Sequence, residues 1–289
     1  MKVLVTGGAG FIGCHIVKGY LGEGASLFVI DDLSRKGSDL NLKWLYEQGD
    51  FEFFRIDLKE YGRLSALFEE NSDIEIVYHM GAQVAVTESI RDPRRDFDTN
   101  LLGTFNLLEA IRNSRCRPIL IYASTNKVYG ALEDLEVVER DCRYDYARLA
   151  GGISEDRNLD FHSPYGCSKG AAEQYVRDYS RMFGIRSVVF RQSCIYGPRQ
   201  MGCEDQGWLA WFILAGLSGR PVTIYGNGKQ VRDVLFIDDL LEAYHRAACR
   251  IEAVSGEIFN IGGGRHRQLS ILQLLDVLRE QFGISVHTT

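Results

Sequence analysis

Tyr165-Gly166-Cys167-Ser168-Lys169 sets a phenol and an amine four residues apart. On a helix, that spacing turns both side chains to one face. A free tyrosine has a pKa of about 10 and is a poor base at neutral pH. A lysine ammonium beside it favours the phenolate, which can take a proton from an alcohol. Taken alone, Tyr-x-x-x-Lys recurs by chance and usually marks a pair on a helix surface. Its weight comes from the other groups in the chain. The apolar run 119–123 ends in Ser124 and Thr125, and a hydroxyl at the end of such a strand can orient the reacting oxygen. Ser124 has the plainer alternative of only capping the strand end.

Taking a proton from an alcohol is half of an oxidation, and the other half needs a hydride acceptor. The apolar run 3–6 leads directly into Thr6-Gly7-Gly8-Ala9-Gly10-Phe11-Ile12-Gly13. This holds Gly8-x-Gly10-x-x-Gly13 and the wider Gly7-x-x-Gly10-x-x-Gly13. Glycines at these spacings let the backbone turn tightly and bring main-chain N–H groups against a pyrophosphate, helped by the N-terminus of the next helix. A plain glycine-rich turn does not explain the spacing. The second apolar run ends in Ile30-Asp31-Asp32, with Asp31 lying 18 residues after Gly13. A carboxylate there accepts from both ribose hydroxyls of NAD and repels a 2′-phosphate. Arg35 is the group that would accommodate NADP, but Asp31 is better placed, so the expected cofactor is NAD. Asp57 follows the third run and either holds the adenine amino group or caps a helix ahead of Lys59.

These groups need a scaffold. Short β-rich apolar runs at 3–6, 26–30, 51–56, 74–79, 118–123 and 187–191 alternate with helical patterns. Ile12, Ile16, Val17, Tyr20 and Leu21 carry the first helical pattern, and 60–70, 94–113, 165–183 and 205–218 carry the later ones. Near-continuous apolar strands alternating with helices predict an α/β fold, a Rossmann-type doubly wound parallel sheet covered on both faces. Residues 1–190 are expected to form the NAD-binding domain, with the chain returning to it near 231–262. Residues 191–289 should form mainly a smaller C-terminal substrate-binding lobe. The charged stretch 131–162 breaks the rhythm between a strand and a helix. A connection of that length usually carries function or is disordered, and this one leaves the carboxyl end of a strand, where open α/β sheets bind ligands.

Composition narrows the partners. A net charge of −6 argues against a nucleic-acid partner. The densest basic stretch, Arg91-Asp92-Pro93-Arg94-Arg95-Asp96, is broken by acids and reads as a solvated face. No apolar run nears the roughly 18 residues that span a bilayer, so no membrane partner is expected. Met1-Lys2-Val3-Leu4-Val5 is too short in its apolar part to be a leader. Seven cysteines without a CxxC pair predict neither a disulfide framework nor a metal site, and read as reduced thiols of a cytoplasmic protein.

Together these residues resemble the extended short-chain dehydrogenase/reductase family of sugar-nucleotide epimerases and dehydratases. The likeness is essentially full length, from the glycine run through Phe259-Asn260-Ile261-Gly262-Gly263. It implies a catalytic triad of Thr125, Tyr165 and Lys169. It places NAD against Gly7, Gly10, Phe11, Ile12, Gly13, Asp31, Asp32, Ser34, Arg35, Asp57, Leu58, Gly81 and Asn100, as well as Tyr165 and Lys169. It gives Thr125, Asn126, Lys127, Ser193, Arg199, Gln206 and Arg232 to a nucleotide-sugar substrate. Arg232, in Gly226-Asn227-Gly228-Lys229-Gln230-Val231-Arg232-Asp233, should bind the pyrophosphate; the alternative is a surface arginine paired with Asp233.

Dehydratases of the family carry Asp-Glu after the triad threonine, to eliminate water. This chain has Asn126-Lys127, which argues against dehydration. Asp32-Leu33-Ser34-Arg35-Lys36-Gly37, Ser124–Gly130, Leu159–Ala172, Asp205-Gln206-Gly207-Trp208 and Gly228–Leu235 resemble the branch that inverts C2 of a CDP-linked deoxysugar. In Arg191-Gln192-Ser193-Cys194-Ile195-Tyr196-Gly197, Cys194 stands where the wider family usually has Asn. The implied reaction is 2-epimerisation through a 2-keto intermediate with tightly held NAD. A UDP-sugar 4-epimerase is the runner-up, and a non-catalytic NAD-binding or regulatory protein is the reading from another class. The resemblance also implies a homodimer or tetramer, built on helices near 94–113 and 165–183. Relatives continue for about 50 residues beyond the match to Thr289, which implies intact cofactor binding and weaker substrate affinity.

Overall fold

The computed structural model describes residues 1–149 and 151–289. In chain order the strands are β1 Lys2–Thr6, β2 Ser26–Ile30, β3 Glu52–Phe54, β4 Ile76–His79, β5 Ile119–Thr125, β6 Val137–Glu139, β7 Tyr144–Tyr146, β8 Ser187–Gln192, β9 Cys194–Tyr196, β10 Val231–Phe236, β11 Ile258–Ile261 and β12 Gln268–Ser270. The helices are α1 Phe11–Gly22, α2 Ser38–Tyr46, α3 Tyr61–Glu70, α4 Val86–Arg91, α5 Pro93–Phe97, α6 Gly103–Asn113, α7 Ser163–Phe183, α8 Trp208–Leu217, α9 Ile237–Cys249, α10 Ile251–Val254 and α11 Ile271–Phe282.

Seven strands form one parallel sheet in the order β11-β8-β5-β4-β1-β2-β3. Successive side chains leave a strand on opposite faces, so each apolar strand feeds two cores. Leu4, Phe28, Ile30, Val77, Leu120, Tyr122 and Val189 pack under α3, α6 and α7. Val3, Val5, Leu27, Val29, Ile76, Tyr78, Ile121, Val188 and Phe190 pack under α1 and α9. A third, smaller cluster joins α8 and α11 through Phe212, Ala215, Val222, Leu274 and Leu278. From β1 the chain builds outward to β3, then returns to the other side of β1 with β4. The crevice at the carboxyl ends of β1 and β4 is therefore the switch point, where such sheets bind ligands.

The strand and helix expectations hold in outline, with four differences that have physical reasons. β3 is shorter than 51–56 because it is an edge strand whose only partner, β2, ends at Ile30. A helix, α2, follows β2 where none was expected. The pattern 94–113 is not one α-helix: a π-helical turn, Asp98–Leu102, separates α5 from α6 and turns Asn100 into the core. The stretch 131–162 contains the β6–β7 hairpin, which docks on the segment carrying Arg232. There Tyr144 N–H donates to Lys229 O (3.0 Å) and Lys229 Nζ to Glu139 Oε1 (2.7 Å). Among the described residues no helix is long and apolar enough to cross a membrane.

Candidate active site

The cofactor half of the crevice is made mainly of backbone. Gly7 ends β1 in the left-handed region (φ 63), and a Cβ there would lie 2.6 Å from Gly81 N, at the end of β4. A Cβ on Gly13 would lie 2.2 Å from Gly7 O, so the first turn of α1 seats directly on the loop. Gly10 is the N-cap of α1, and no side chain caps the helix. Its first N–H groups, on Phe11 and Ile12, are thus free of side-chain acceptors at the positive end of a helix, which suits a pyrophosphate. Asp31 ends β2, 8% exposed, with Oδ2 accepting from Ala9 N (3.1 Å) and Oδ1 from Leu33 N (2.8 Å). Burial pushes its pKa up, and those two N–H groups oppose the shift. Each oxygen keeps a lone pair for a ribose hydroxyl, so the residues present fit a dinucleotide without a 2′-phosphate.

Around this cradle, Asp32 Oδ1 accepts from Ser34 N (2.9 Å), and the Arg35 side chain is exposed. Asp57 does not cap α3, whose N-cap is Glu60. Its carboxylate closes the preceding turn, accepting from Lys59 N (3.0 Å) and pairing with Lys59 Nζ (3.2 Å). Leu58 is buried against Gly81 and Gly103.

The chemical half is a polar seam along α7. Tyr165, Ser168, Lys169 and Glu173 share the buried face of that helix with Ala172, Val176 and Tyr179. Thr125 ends β5 opposite Gln192 of β8, 6% exposed. Ser124 points the other way and donates to Glu173 Oε2 (2.6 Å), inside a buried ion pair of Glu173 with Arg191 (2.6 Å). The alternation of β5 therefore leaves Thr125 as the hydroxyl beside Tyr165.

The phenolate was expected to be favoured by Lys169 together with the positive nicotinamide ring of NAD, and the protein alone shows what those charges must overcome. Burial pushes the Tyr165 phenol up to about 12, opposed by the Thr125 hydroxyl. Burial also brings the Lys169 ammonium down to about 7, opposed by the charges of Glu173 and Asp96. Lys169 Nζ donates to Ala123 O (2.5 Å) and lies 4.4 Å from the centre of the Tyr122 ring. A phenolate here needs a further positive charge in the crevice.

On the substrate side, Lys127 and Arg232 approach one another. Burial and the Arg232 charge lower the Lys127 pKa. Arg232 is not paired with Asp233: its only side-chain bond among the described residues is to Val231 O (2.9 Å), while Asp233 accepts from Gly263 N (2.7 Å). Two cations with no carboxylate partner among the described residues suit a diphosphate. Asn126 is exposed beside Lys127, and the buried Ser193 hydroxyl has no partner among the described residues. Arg199 is not grouped with these residues. It stacks on Trp44 of α2, 4.4 Å from the ring centre, over the cofactor side. Gln206 pairs with Cys203 in the turn before α8.

Gly81 and Asn100, expected against the cofactor, lie in a buried polar chain whose other members, Thr6, His79, Thr104, Gln83 and Asp96, sequence reasoning missed. Gly81 N–H donates to Thr6 Oγ1 (3.2 Å), and Thr6 Oγ1 lies 2.7 Å from His79 Nδ1. His79 Nε2 lies 2.9 Å from Thr104 Oγ1, which donates to Asn100 O (2.6 Å). Since Thr104 spends its proton on Asn100, His79 must donate from Nε2 and accept from Thr6 at Nδ1. The Asn100 side chain continues the chain to Gln83 O (3.0 Å), Asp96 (3.2 Å) and Ser168 Oγ (3.0 Å). Asn100 therefore braces the site from beneath. Asp96, read from sequence as part of a solvated face, is wholly buried. The flanking arginines are exposed as expected, and the packing of α5 on α7 sends Asp96 inward.

The chain is similar to known proteins over its whole length. A family model described as the NAD dependent epimerase/dehydratase family matches residues 3–262. CDP-paratose 2-epimerase from Salmonella typhi is 45% identical over all of this chain and 87% of its own length. UDP-glucose 4-epimerase from Mycolicibacterium smegmatis is 34% identical, over 91% of this chain and 78% of its own. The crystal structure of UDP-glucuronic acid 4-epimerase from Bacillus cereus, in complex with UDP-glucuronic acid and NAD, superposes with a TM-score of 0.84 at 32% identity, covering all of this chain and 85% of that one. A glycine cradle at the switch point, a buried Tyr–Lys pair beside a strand-end threonine and a full-length match converge on one conclusion: the chain belongs to the NAD-dependent epimerase/dehydratase family.

Proposed function

We propose that the protein inverts a carbon of a nucleotide-linked deoxysugar, namely C2 of CDP-paratose or a close analogue. The observation that carries this reading is the pairing of Tyr165 with Thr125 while Asn126 and Lys127 follow. One group can move a proton at a hydroxyl, and no neighbouring carboxylate is there to expel water. The 45% identity to a CDP-paratose 2-epimerase supports the choice of base and carbon. Bound NAD supplies the hydride acceptor and, in its cationic form, the positive charge that favours the Tyr165 phenolate.

Tyr165 takes the sugar hydroxyl proton and later returns it, and Thr125 orients the oxygen. Lys169 adds charge behind the phenol and anchors itself on Ala123 O. Lys127 and Arg232 hold the diphosphate, which lets the 2-keto sugar turn its other face without leaving. We read residues 1–190 with 231–262 as the NAD-binding part and 191–289 as mainly the sugar-nucleotide lobe. Exposed Ile90, Phe97, Tyr175, Met182 and Phe183 on α4, α5 and α7 support a homodimer or tetramer through that face. Seven free cysteines fit a reducing, cytoplasmic setting.

A screen of nucleotide sugars against the purified protein, with products read by NMR, tests the reading. CDP-paratose should give the C2 epimer, and substrate deuterated at C2 should keep its label there. Solvent deuterium at C2 rules out hydride return. UDP-sugar 4-epimerases with about a third of their residues in common make C4 the second reading, and inversion at C4 selects it. Retained NAD without turnover of any nucleotide sugar points to a binding protein instead.

A further inference from the structure

β11 is an edge strand of the seven-stranded sheet, and Asn260 is its polar member. Phe259 and Ile261 pack into the core under α1 and α9, so alternation turns Asn260 to the α7 face, in register with Arg191 of β8. Its Oδ1 accepts from Tyr129 Oη (2.8 Å), which itself accepts from Arg191 Nη1 (2.6 Å). Its Nδ2 donates to Ile153 O (2.8 Å), and its backbone N–H donates to Glu155 Oε1 (2.6 Å). An edge strand's outer N–H groups need partners, and a loop that supplies one gains an anchor for itself. Arg191 also reaches Glu155 O (3.4 Å) and pairs with Glu173 of α7 (2.6 Å), which holds Ser124 beside Thr125.

Ile153 and Glu155 belong to the stretch 131–162, whose hairpin is tied to the strands around Arg232. Cys142 O accepts from Ser270 Oγ (2.6 Å), and Arg143 donates to Gln268 Oε1 (3.0 Å). Gln268 and Ser270 flank Leu269, the β12 partner of Arg232 in β10. The same stretch is thus bonded at one end to the pairing partner of the Arg232 strand. At the other end it is bonded, through Asn260 and Arg191, to the helix that carries Tyr165 and Lys169.

We propose that Asn260 is the clasp that fixes the stretch 131–162 to the sheet edge and so sets the Arg232 side of the crevice against α7. It is a positioning residue, and its polar groups are spent on Tyr129, Ile153 and Glu155. The inference rests on reading Arg232 as a diphosphate ligand, and its first readout needs no ligand at that site.

Hydrogen exchange on the NAD-loaded protein reads the clasp directly. Asn260→Ala loses two side-chain hydrogen bonds, so the amides of 151–157 should exchange roughly tenfold faster while those of β2 stay as they are. Glu155 is exposed, and Glu155→Ala should speed the same amides a few-fold without disturbing the core. Glu155→Gln keeps an acceptor for Asn260 N–H and should stay within about twofold of wild type. Calorimetric titration with CDP reads the consequence: Asn260→Ala and Glu155→Ala should weaken binding by about fivefold with NAD retained. Unchanged exchange in 151–157, or exchange that speeds equally in β2, overturns the clasp. An effect of Glu155→Gln as large as that of Glu155→Ala traces it to charge and also overturns the clasp. Faster exchange with unchanged CDP affinity overturns the link to the Arg232 side. Should Asn260→Ala not fold, the two Glu155 variants decide by the same criteria. Wild-type protein that binds no CDP would instead defeat the sugar-nucleotide reading, leaving the exchange result to judge the clasp by itself.

Discussion

The two halves of the crevice reach readiness by different means. The cofactor half is preformed from backbone: Gly7, Gly13 and Gly81 close on one another at distances that leave no space for a Cβ. The half proposed for the sugar nucleotide holds side chains in unsatisfied states: among the described residues Lys127 and Arg232 have no carboxylate partner, and the Ser193 hydroxyl has none either. One half needs nothing to hold its shape. The other carries charge that a diphosphate would neutralise. Cofactor retention and substrate affinity should therefore respond to different mutations and to different salt concentrations.

The sharpest way to break the distinction is Gly13→Val. With a Cβ 2.2 Å from Gly7 O, the first turn of α1 must shift. The expected outcome is loss of both bound NAD and activity, read from the absorbance of the purified protein and from turnover. Retained cofactor would mean that the cradle is softer than its contacts indicate.

Tyr165→Phe removes one oxygen from the chemical seam and nothing from the cradle. Turnover should fall by about 10²–10⁴ with NAD still bound. Thr125→Ala should cost less, since water can partly replace an orienting hydroxyl. Arg232→Ala acts on the charged half alone. Losing a charge-assisted bond of about 1.5–3 kcal/mol should raise KM by roughly 10- to 100-fold with little change in kcat. A comparable fall in kcat would place Arg232 at the reacting carbon.

Beneath both halves, His79 gives a pH signature. Burial lowers its pKa from 6.5 to about 3, so between those values the unfolded chain binds a proton that the folded protein does not. Stability from this group is complete above pH 6.5 and is lost as pH falls toward 3, by about 1.4 kcal/mol per pH unit. His79→Gln should be less stable at pH 7 and show a shallower acid slope between pH 6 and 4 in denaturant titrations. An unchanged slope would assign the acid sensitivity elsewhere. The smallest expected effect is at Asp31. Its replacement by Ala should narrow the preference for NAD over NADP by roughly tenfold, about 1.4 kcal/mol, measured as relative affinities.

Sequence alone settled what repeats locally. Strand periodicity, the glycine spacings and the four-residue step from Tyr165 to Lys169 are consequences of backbone geometry over a few residues, and a string of residue types records them directly. The parallel sheet, the tight glycine turn and the shared helix face of Tyr165 and Lys169 were legible for that reason. Tertiary structure decided which member of an ambiguous pair does what. Ser124 and Thr125 are one residue apart and chemically alike, and only the orientation of β5 between β4 and β8 sends one to Glu173 and the other to Tyr165. Asp96 lies among exposed arginines in the chain, yet the packing of α5 on α7 buries it. For Asp57 and Arg232 the structure removed one alternative each, the helix cap and the pair with Asp233. Burial and charge depend on residues far away in sequence, so the directions in which Tyr165, Lys169 and His79 shift follow only from the groups that the fold brings around them.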